Sequence, residues 1–348
     1  MKKQKKLHPA DLAVLCSEYA MILRSGIPLY DGIAILSQSA EDTPSRPLLE
    51  HIQADMQQGA SLYEALADTG QFPAYMLEMI RLAEQTGTLE TILEDLSAYY
   101  ERIARYNDAL RNAVVYPVTL IIMMSVVIAV LVVKVIPVFV TVYENLGIEL
   151  TGSASMIMNA GLVIGYAVMA GAILISIGCL ALMIAWKQGK EEQILRKAAE
   201  IFPFIRRIME KQAAATYASV ISIALKSGYS IEEMTESAAR YMPDERSRAR
   251  AEQAGRTMME SGSFCQAARQ TGFYESIHER MIEVAERTGQ TGQVMERLAL
   301  LYEQQTIERL EAAVSNVEPI LIGILTFIAG GILLAVMIPL AGILLAMS

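Results

Sequence analysis

The sequence predicts an all-α membrane protein: two tandem six-helix cytoplasmic bundles, related by an internal duplication, plus three transmembrane helices. Three observations carry that prediction. First, AEQTG at 83–87 returns as AERTG at 285–289, a step of 202 residues that needs no gap from about position 10 to about 142. At the same step Ser25-Gly26 meets Ser227-Gly228, Tyr100-Glu101 meets Tyr302-Glu303 and Ile136-Pro137 meets Ile338-Pro339. A register held that long marks a duplicated domain, far larger than a solenoid repeat. Second, apolar residues recur at helical spacing with little strand alternation. Third, long uncharged runs interrupt the chain, within an overall composition that is 53% hydrophobic and 19% charged.

In the first unit, 1–111, Pro9 suits a first helical turn, and Leu12, Leu15, Tyr19, Ile22 and Leu23 repeat at helical spacing up to Gly26. A second helix follows Pro28, a loop covers 41–47, and a third helix covers about 48–58. Ser61-Leu62-Tyr63-Glu64 reads as a capping box opening the fourth helix. Its counterpart Ser263-Phe264-Cys265-Gln266 reads as another, as does Ser230-Ile231-Glu232-Glu233. A fifth helix at about 73–85 puts Met76, Met79, Ile80 and Ala83 on one face, and Gly87 ends it. The sixth carries Leu89, Ile92, Leu93, Leu96, Tyr99, Tyr100 and Ile103, and is expected to run straight on toward the membrane.

Transmembrane helices are expected at 112–143, 157–186 and 317–346, each longer than the roughly 20 residues needed to cross a bilayer. A short extracytoplasmic loop, 144–156, joins the first two, and the second helical domain fills 187–316. Arg102, Arg105 and Arg111 precede the first span, Lys187 and Lys190 follow the second, and Arg309 precedes the third. The rule that basic residues stay inside then places the N-terminus and both helical domains in the cytoplasm and the C-terminus outside. Lys134 falls near the outer interface, where its long side chain can snorkel. Gly161 and Gly165, with Ala167 and Gly171, have the small-xxx-small spacing of closely packed membrane helices.

Several function classes find no support. A formal net charge of −9 argues against nucleic-acid binding, which needs a basic face. His8, His51 and His278 are scattered, and no HExxH pair, GxxxxGK[ST] phosphate loop or GxSxG elbow occurs. The chain therefore reads as a non-enzyme without a metal or cofactor. Cys16, Cys179 and Cys265 show neither disulfide nor CxxC spacing and read as small buried residues. The run Arg240, Arg246, Arg248, Arg250 and Arg256 reads as a solvated face, with docking on anionic lipid or an acidic partner as the sharper alternative. Glu84 and Glu286 stand out, because each sits near a helix C-terminus where the dipole disfavours a carboxylate. Either a partner or a buried hydrogen bond would justify them.

SGxxL at 25–29, SGxxI at 227–231 and the two AExTG turns, each in a helical unit leading into a membrane span, resemble the type II secretion F family. The second copy departs from the first at Thr291 and Met295, where the first has Leu89 and Leu93. The resemblance covers nearly the whole chain and implies a membrane platform of type II secretion, type IV pilus or competence pilus assembly. It implies a cytoplasmic hexameric assembly ATPase, pilin or pseudopilin subunits and other inner-membrane assembly proteins as partners, together with self-association in the bilayer. Carried over by motif, Glu84, Gly87, Glu286 and Gly289 are the expected partner-contact residues. A membrane scaffold or receptor unrelated to filaments, or an oligomeric small-solute transporter, remains open as an alternative.

Overall fold

The computed structural model describes residues 7–39, 45–135, 137–138, 141, 166, 170–171, 173–178 and 203–347. Among these the chain is helical and contains no strand. The first repeat comprises α1 (Pro9–Arg24), α2 (Leu29–Ser39), α3 (Arg46–Gln57), α4 (Leu62–Asp68), α5 (Ala74–Thr86) and α6 (Leu89–Val130). A π-helical turn, Leu131–Val135, follows α6 and carries Lys134. The second repeat comprises α7 (Pro203–Lys226), α8 (Ile231–Ser237), a 3-10 turn Ala238–Tyr241, α9 (Glu245–Ser261), α10 (Phe264–Thr271), α11 (Ser276–Thr288) and α12 (Thr291–Met347).

Local chemistry explains several helix ends. Ser61 and Glu64 make the full reciprocal capping box at the start of α4. At α10 only half of the expected box forms. Ser263 Oγ accepts from the Gln266 amide, but the Ser263 amide is taken by Ser261 Oγ, so Gln266 has no donor to reach back to. At α8, Ser230 accepts from the Glu233 amide.

The chain divides into two compact units. The first unit joins Met1–Asp108 to Pro203–Ile307, so the two helical repeats lie together in it. Their buried apolar side chains form one continuous cluster, from Leu12, Cys16 and Tyr19 of α1 through Met79 and Ile80 of α5 to Tyr217, Ile221 and Tyr302 of the second repeat. Sharing a core matters because a bundle of about 100 residues buries a smaller fraction of its surface than one twice that size. Cys16 and Cys265 are both buried and free, and burial pushes both thiols up, away from the reactive thiolate.

The second unit contains Ala109–Phe202 and Glu308–Ser348. Two helical stretches, Leu89–Val135 and Thr291–Gly331, are long and apolar enough to cross a membrane. Met123, Val126, Ile320 and Phe327 are exposed on them, the apolar exterior that lipid contact requires. Tyr116 donates to Glu318 at 2.7 Å, joining equivalent positions of the two repeats. Ser125 and Ser176 are hydrogen-bonded at 2.9 Å, so the helical stretch 173–178 lies beside α6. The rest of the span expected at 157–186 lies outside the described residues, apart from 166 and 170–171.

Candidate functional site

The two AExTG turns share one construction. Ala83 and Ala285 are buried. Two residues past each glutamate, Thr86 and Thr288 donate to the carbonyls of Leu82 and Val284, both at 3.0 Å. Gly87 and Gly289 then close α5 and α11 with φ of 72° and 70°, a left-handed conformation that glycine adopts without steric penalty. The next amides, Thr88 and Gln290, return to the carbonyls of Ala83 and Ala285 at 3.0 and 2.9 Å.

Between these parts the glutamates turn inward. Glu84 accepts from the amides of Leu62 at 2.7 Å and Tyr63 at 3.3 Å. Glu286 accepts from the amides of Phe264 and Cys265 and from Ser263 Oγ, the last two at 3.0 and 3.1 Å. Leu62 and Tyr63 match Phe264 and Cys265 at the 202-residue step, so one clasp is built twice. Each carboxylate sits at the N-terminus of α4 or α10, where free amides and the helix dipole favour an anion. The unfavourable position at one helix's end is thus a favourable position at another's start. A hydrogen-bonded carboxylate, partly rather than fully buried, is present in both repeats.

Each SG serine bonds back to its own helix, Ser25 Oγ donating to the Ile22 carbonyl three residues back at 2.7 Å and Ser227 Oγ to the Ile223 carbonyl four residues back at 2.8 Å. Their surroundings differ. Ser227 is buried, its hydroxyl 3.7 Å from Met79 Sδ, and its carbonyl accepts from Thr86 Oγ1 at 3.4 Å. The AExTG turn of the first repeat therefore meets the SG turn of the second. Tyr229 donates to Glu78 at 2.8 Å, and Tyr75 packs on Tyr241 with ring centroids 4.8 Å apart.

Polar bridges complete this junction. Lys226 donates to Asp95 at 3.0 Å and to Glu296 at 2.9 Å. Burial opposes its charge, but the hydrogen bonds to Glu296 and Asp95 outweigh it and hold the ammonium above its ordinary value. Burial raises the Asp95 carboxyl, with Lys226 partly offsetting it. Glu303 takes Arg102 and Arg105, each at 3.3 Å, and burial likewise raises its carboxyl against those two cations. Nothing in the sequence announced these pairs, because Lys226 and Asp95 lie 131 positions apart and Arg105 and Glu303 lie 198 apart.

Among the described residues, one group could hold a metal ion: His51, Asp55 and Asp68, whose ligand atoms lie within 4.8 Å of one another. His51 and Asp55 are one helical turn apart on α3, and Asp68 ends α4. His51 Nε2 is 2.9 Å from Asp68 Oδ2, an exposed pairing that is complete without an ion. In the basic run, Arg250 pairs with Glu210 at 3.7 Å and lies over the Phe273 ring, while Arg240, Arg246, Arg248 and Arg256 are exposed. Of the expected membrane-packing residues, Gly161, Gly165 and Ala167 lie outside the described residues. A methyl built on Gly171 would meet nothing within 4 Å.

The fold and its clasps define a class: a membrane protein, helical throughout its described residues, whose duplicated bundle uses its signature carboxylates to hold helices in place. The family described as type II secretion system protein F matches residues 15–137 and again 217–339, the same 202-residue step at both ends, and the chain belongs to that family. It is 23% identical to the type IV pilus assembly protein PilC of Pseudomonas aeruginosa, over 96% of this chain and 90% of that protein. It is 24% identical to the type IV pilus assembly protein TapC of Aeromonas hydrophila, over 96% of this chain and 81% of the relative. The type II secretion system protein F of Vibrio cholerae is 24% identical over 94% of this chain and 81% of its own length.

Proposed function

We propose that this protein is a non-enzymatic, polytopic platform in the inner or plasma membrane, coupling a cytoplasmic assembly ATPase to insertion of pilin-like subunits into a type IV pilus or secretion pseudopilus. The observation that carries this reading is the match of both repeats to one family whose relatives are named for pilus assembly and type II secretion. Two features of the chain support it. The sequence has no phosphate-binding loop, so mechanical work must draw on a partner's nucleotide hydrolysis. Helices α6 and α12 each run unbroken from bundle residues into an apolar stretch, which suits them to carry displacement toward the membrane.

In this reading three spans, 112–143, 157–186 and 317–346, hold two six-helix cytoplasmic domains, with the N-terminus inside and the C-terminus outside. Other inner-membrane assembly proteins complete the machine. The partner contacts expected of Glu84, Gly87, Glu286 and Gly289 fall to the turns these residues shape, since the carboxylates themselves face helix N-termini. Cross-linked affinity purification from native membranes tests the proposal. Recovery of an assembly ATPase together with pilin-like subunits is the expected result. Recovery of neither, from cells that are assembling filaments, would overturn it.

A further inference from the structure

Asp55 and Asp68 break an electrostatic rule that the clasps obey. Each lies in the last turn of its helix, α3 or α4, where free carbonyls make a carboxylate unfavourable, and neither last turn holds a basic residue. Glu84 and Glu286 occupy such positions too, but each is relieved by the amides that open another helix. Among the described residues, neither Asp55 nor Asp68 has a backbone amide, a lysine or an arginine as partner for its side chain. Both face His51 instead. Its Nε2 lies 2.9 Å from Asp68 Oδ2 and 3.6 Å from Asp55 Oδ2. An imidazole carries at most one N–H at that nitrogen, so the hydrogen bond to Asp68 leaves the second carboxylate without a donor.

The second repeat builds the corresponding helices without this concentration of charge. At the 202-residue step His51, Asp55 and Asp68 become Gln253, Thr257 and Gln270, three neutral side chains, and α10 carries Arg269 in its last turn. Packing this pair of helices therefore does not require the three groups. In the first repeat they occur together, on two helices, with their ligand atoms all within 4.8 Å of one another. A divalent cation resolves what a proton cannot. It takes the Nε2 lone pair and both carboxylates at once, and it sits against two helix C-termini, where positive charge is favoured.

We infer that His51, Asp55 and Asp68 bind a divalent metal ion of the zinc class, which ties α3 to α4 in the first repeat only. The donor set chooses the class. One imidazole nitrogen with two carboxylates suits Zn2+ and its first-row neighbours, whereas Ca2+ and Mg2+ take oxygen ligands throughout. Ligands about 2.0–2.2 Å from a tetrahedral ion stand about 3.3 Å from one another, and the two His51 separations fall on either side of that spacing. His51 and Asp55 are one helical turn apart, so α3 supplies a chelating pair and the end of α4 brings the third ligand. Three protein ligands leave the fourth position to water, which reaches it over the exposed His51 and Asp68. Such a staple needs no ATPase, pilin or filament, so this site and the platform reading stand or fall separately.

Calorimetric titration with Zn2+ of the full chain, purified in detergent without a polyhistidine tag and stripped with a chelator, tests this site. A single saturable equivalent is expected, with a rise in the thermal unfolding midpoint that EDTA reverses. His51→Gln and Asp68→Asn change exposed positions to neutral side chains like those of the second repeat. Each should weaken binding about a hundredfold or more, because losing even a group that only orients a metal ligand costs about 10- to 100-fold. Without metal, both variants should unfold close to the temperature of the unaltered protein. No binding by the unaltered protein would overturn the proposal. So would binding that persists undiminished when both substitutions are combined, or Ca2+ and Mg2+ binding as tightly as Zn2+.

Discussion

Helices α1 and α7 hold the same place in their repeats and differ on one face. Their inward faces agree: Cys16 and Tyr19 are buried, and so are their counterparts Ala218 and Ile221. Their outward faces are opposite, open on α1 and covered on α7. The same split separates α5 from α11. Duplication thus copied the interactions inside a repeat, and the single contact between repeats broke their equivalence. Position in the repeat predicts internal packing, and it does not predict exposure.

The largest expected effects test that split directly. Tyr75→Ala should destabilise by about 3–5 kcal/mol, whereas Ile277→Ala, at the equivalent exposed position, should stay within about 0.5 kcal/mol. Unfolding in detergent micelles, followed by circular dichroism, reads both. Equal effects would mean that the second repeat's outer face is covered within the chain. Ile223→Asp and Met21→Asp should divide the same way, since only the first buries an unpaired charge.

Next come the clasps, which should behave alike in both repeats. Glu84→Ala and Glu286→Ala each remove a carboxylate from helix-start amides, at about 1.5–3 kcal/mol per charge-assisted bond before water regains the freed donors. Glu286, with three donors against two, should be the larger loss. Unchanged stability in both variants would assign the glutamates to a partner instead.

A smaller contrast concerns the matched cations. Lys226→Ala leaves half-buried Asp95 without its counter-ion and should destabilise by about 1–2 kcal/mol. Arg24→Ala removes an exposed pairing and should change stability by less than about 1 kcal/mol. Denaturant midpoints at low and high salt distinguish them, because the exposed pair is the more strongly screened.

The smallest effect is a pH dependence that His278 brings to the second repeat. His278 Nδ1 lies 2.8 Å from the Tyr302 hydroxyl, and burial lowers the imidazole pKa, assisted by Lys211 and opposed by Glu275. A lowered value means that the fold prefers the neutral ring. The contribution is fully present above the ordinary histidine range and is lost as pH falls through the lowered value. Melting temperature should therefore decline on acidification below about pH 6.5, the unperturbed value. His278→Gln should flatten that part of the profile. The first repeat has Met76 at the equivalent position, and so no counterpart of this group.

Much of the architecture was legible in the residues alone. The duplication, the helical period, the Ser61-Glu64 box, the glycine stops and the uncharged runs all depend on neighbours within a few positions, or on one copy matching the other. Local sterics and hydrogen bonding decide such features, so one sequence suffices to read them. The Ser263 box formed only by half, because Ser261, just outside the motif, competed for the same amide. Tertiary structure alone decided the rest: that Glu84 and Glu286 cap helices beginning 22 residues upstream, that Lys226 finds Asp95, and that Ile223 and Tyr75 are covered while their counterparts Met21 and Ile277 stay open. Those outcomes turn on which surfaces meet when the chain collapses. Rules of local spacing cannot read that meeting, because the residues that tell the two surfaces apart, such as Asp95 in one copy and Arg297 in the other, find their partners more than a hundred positions away.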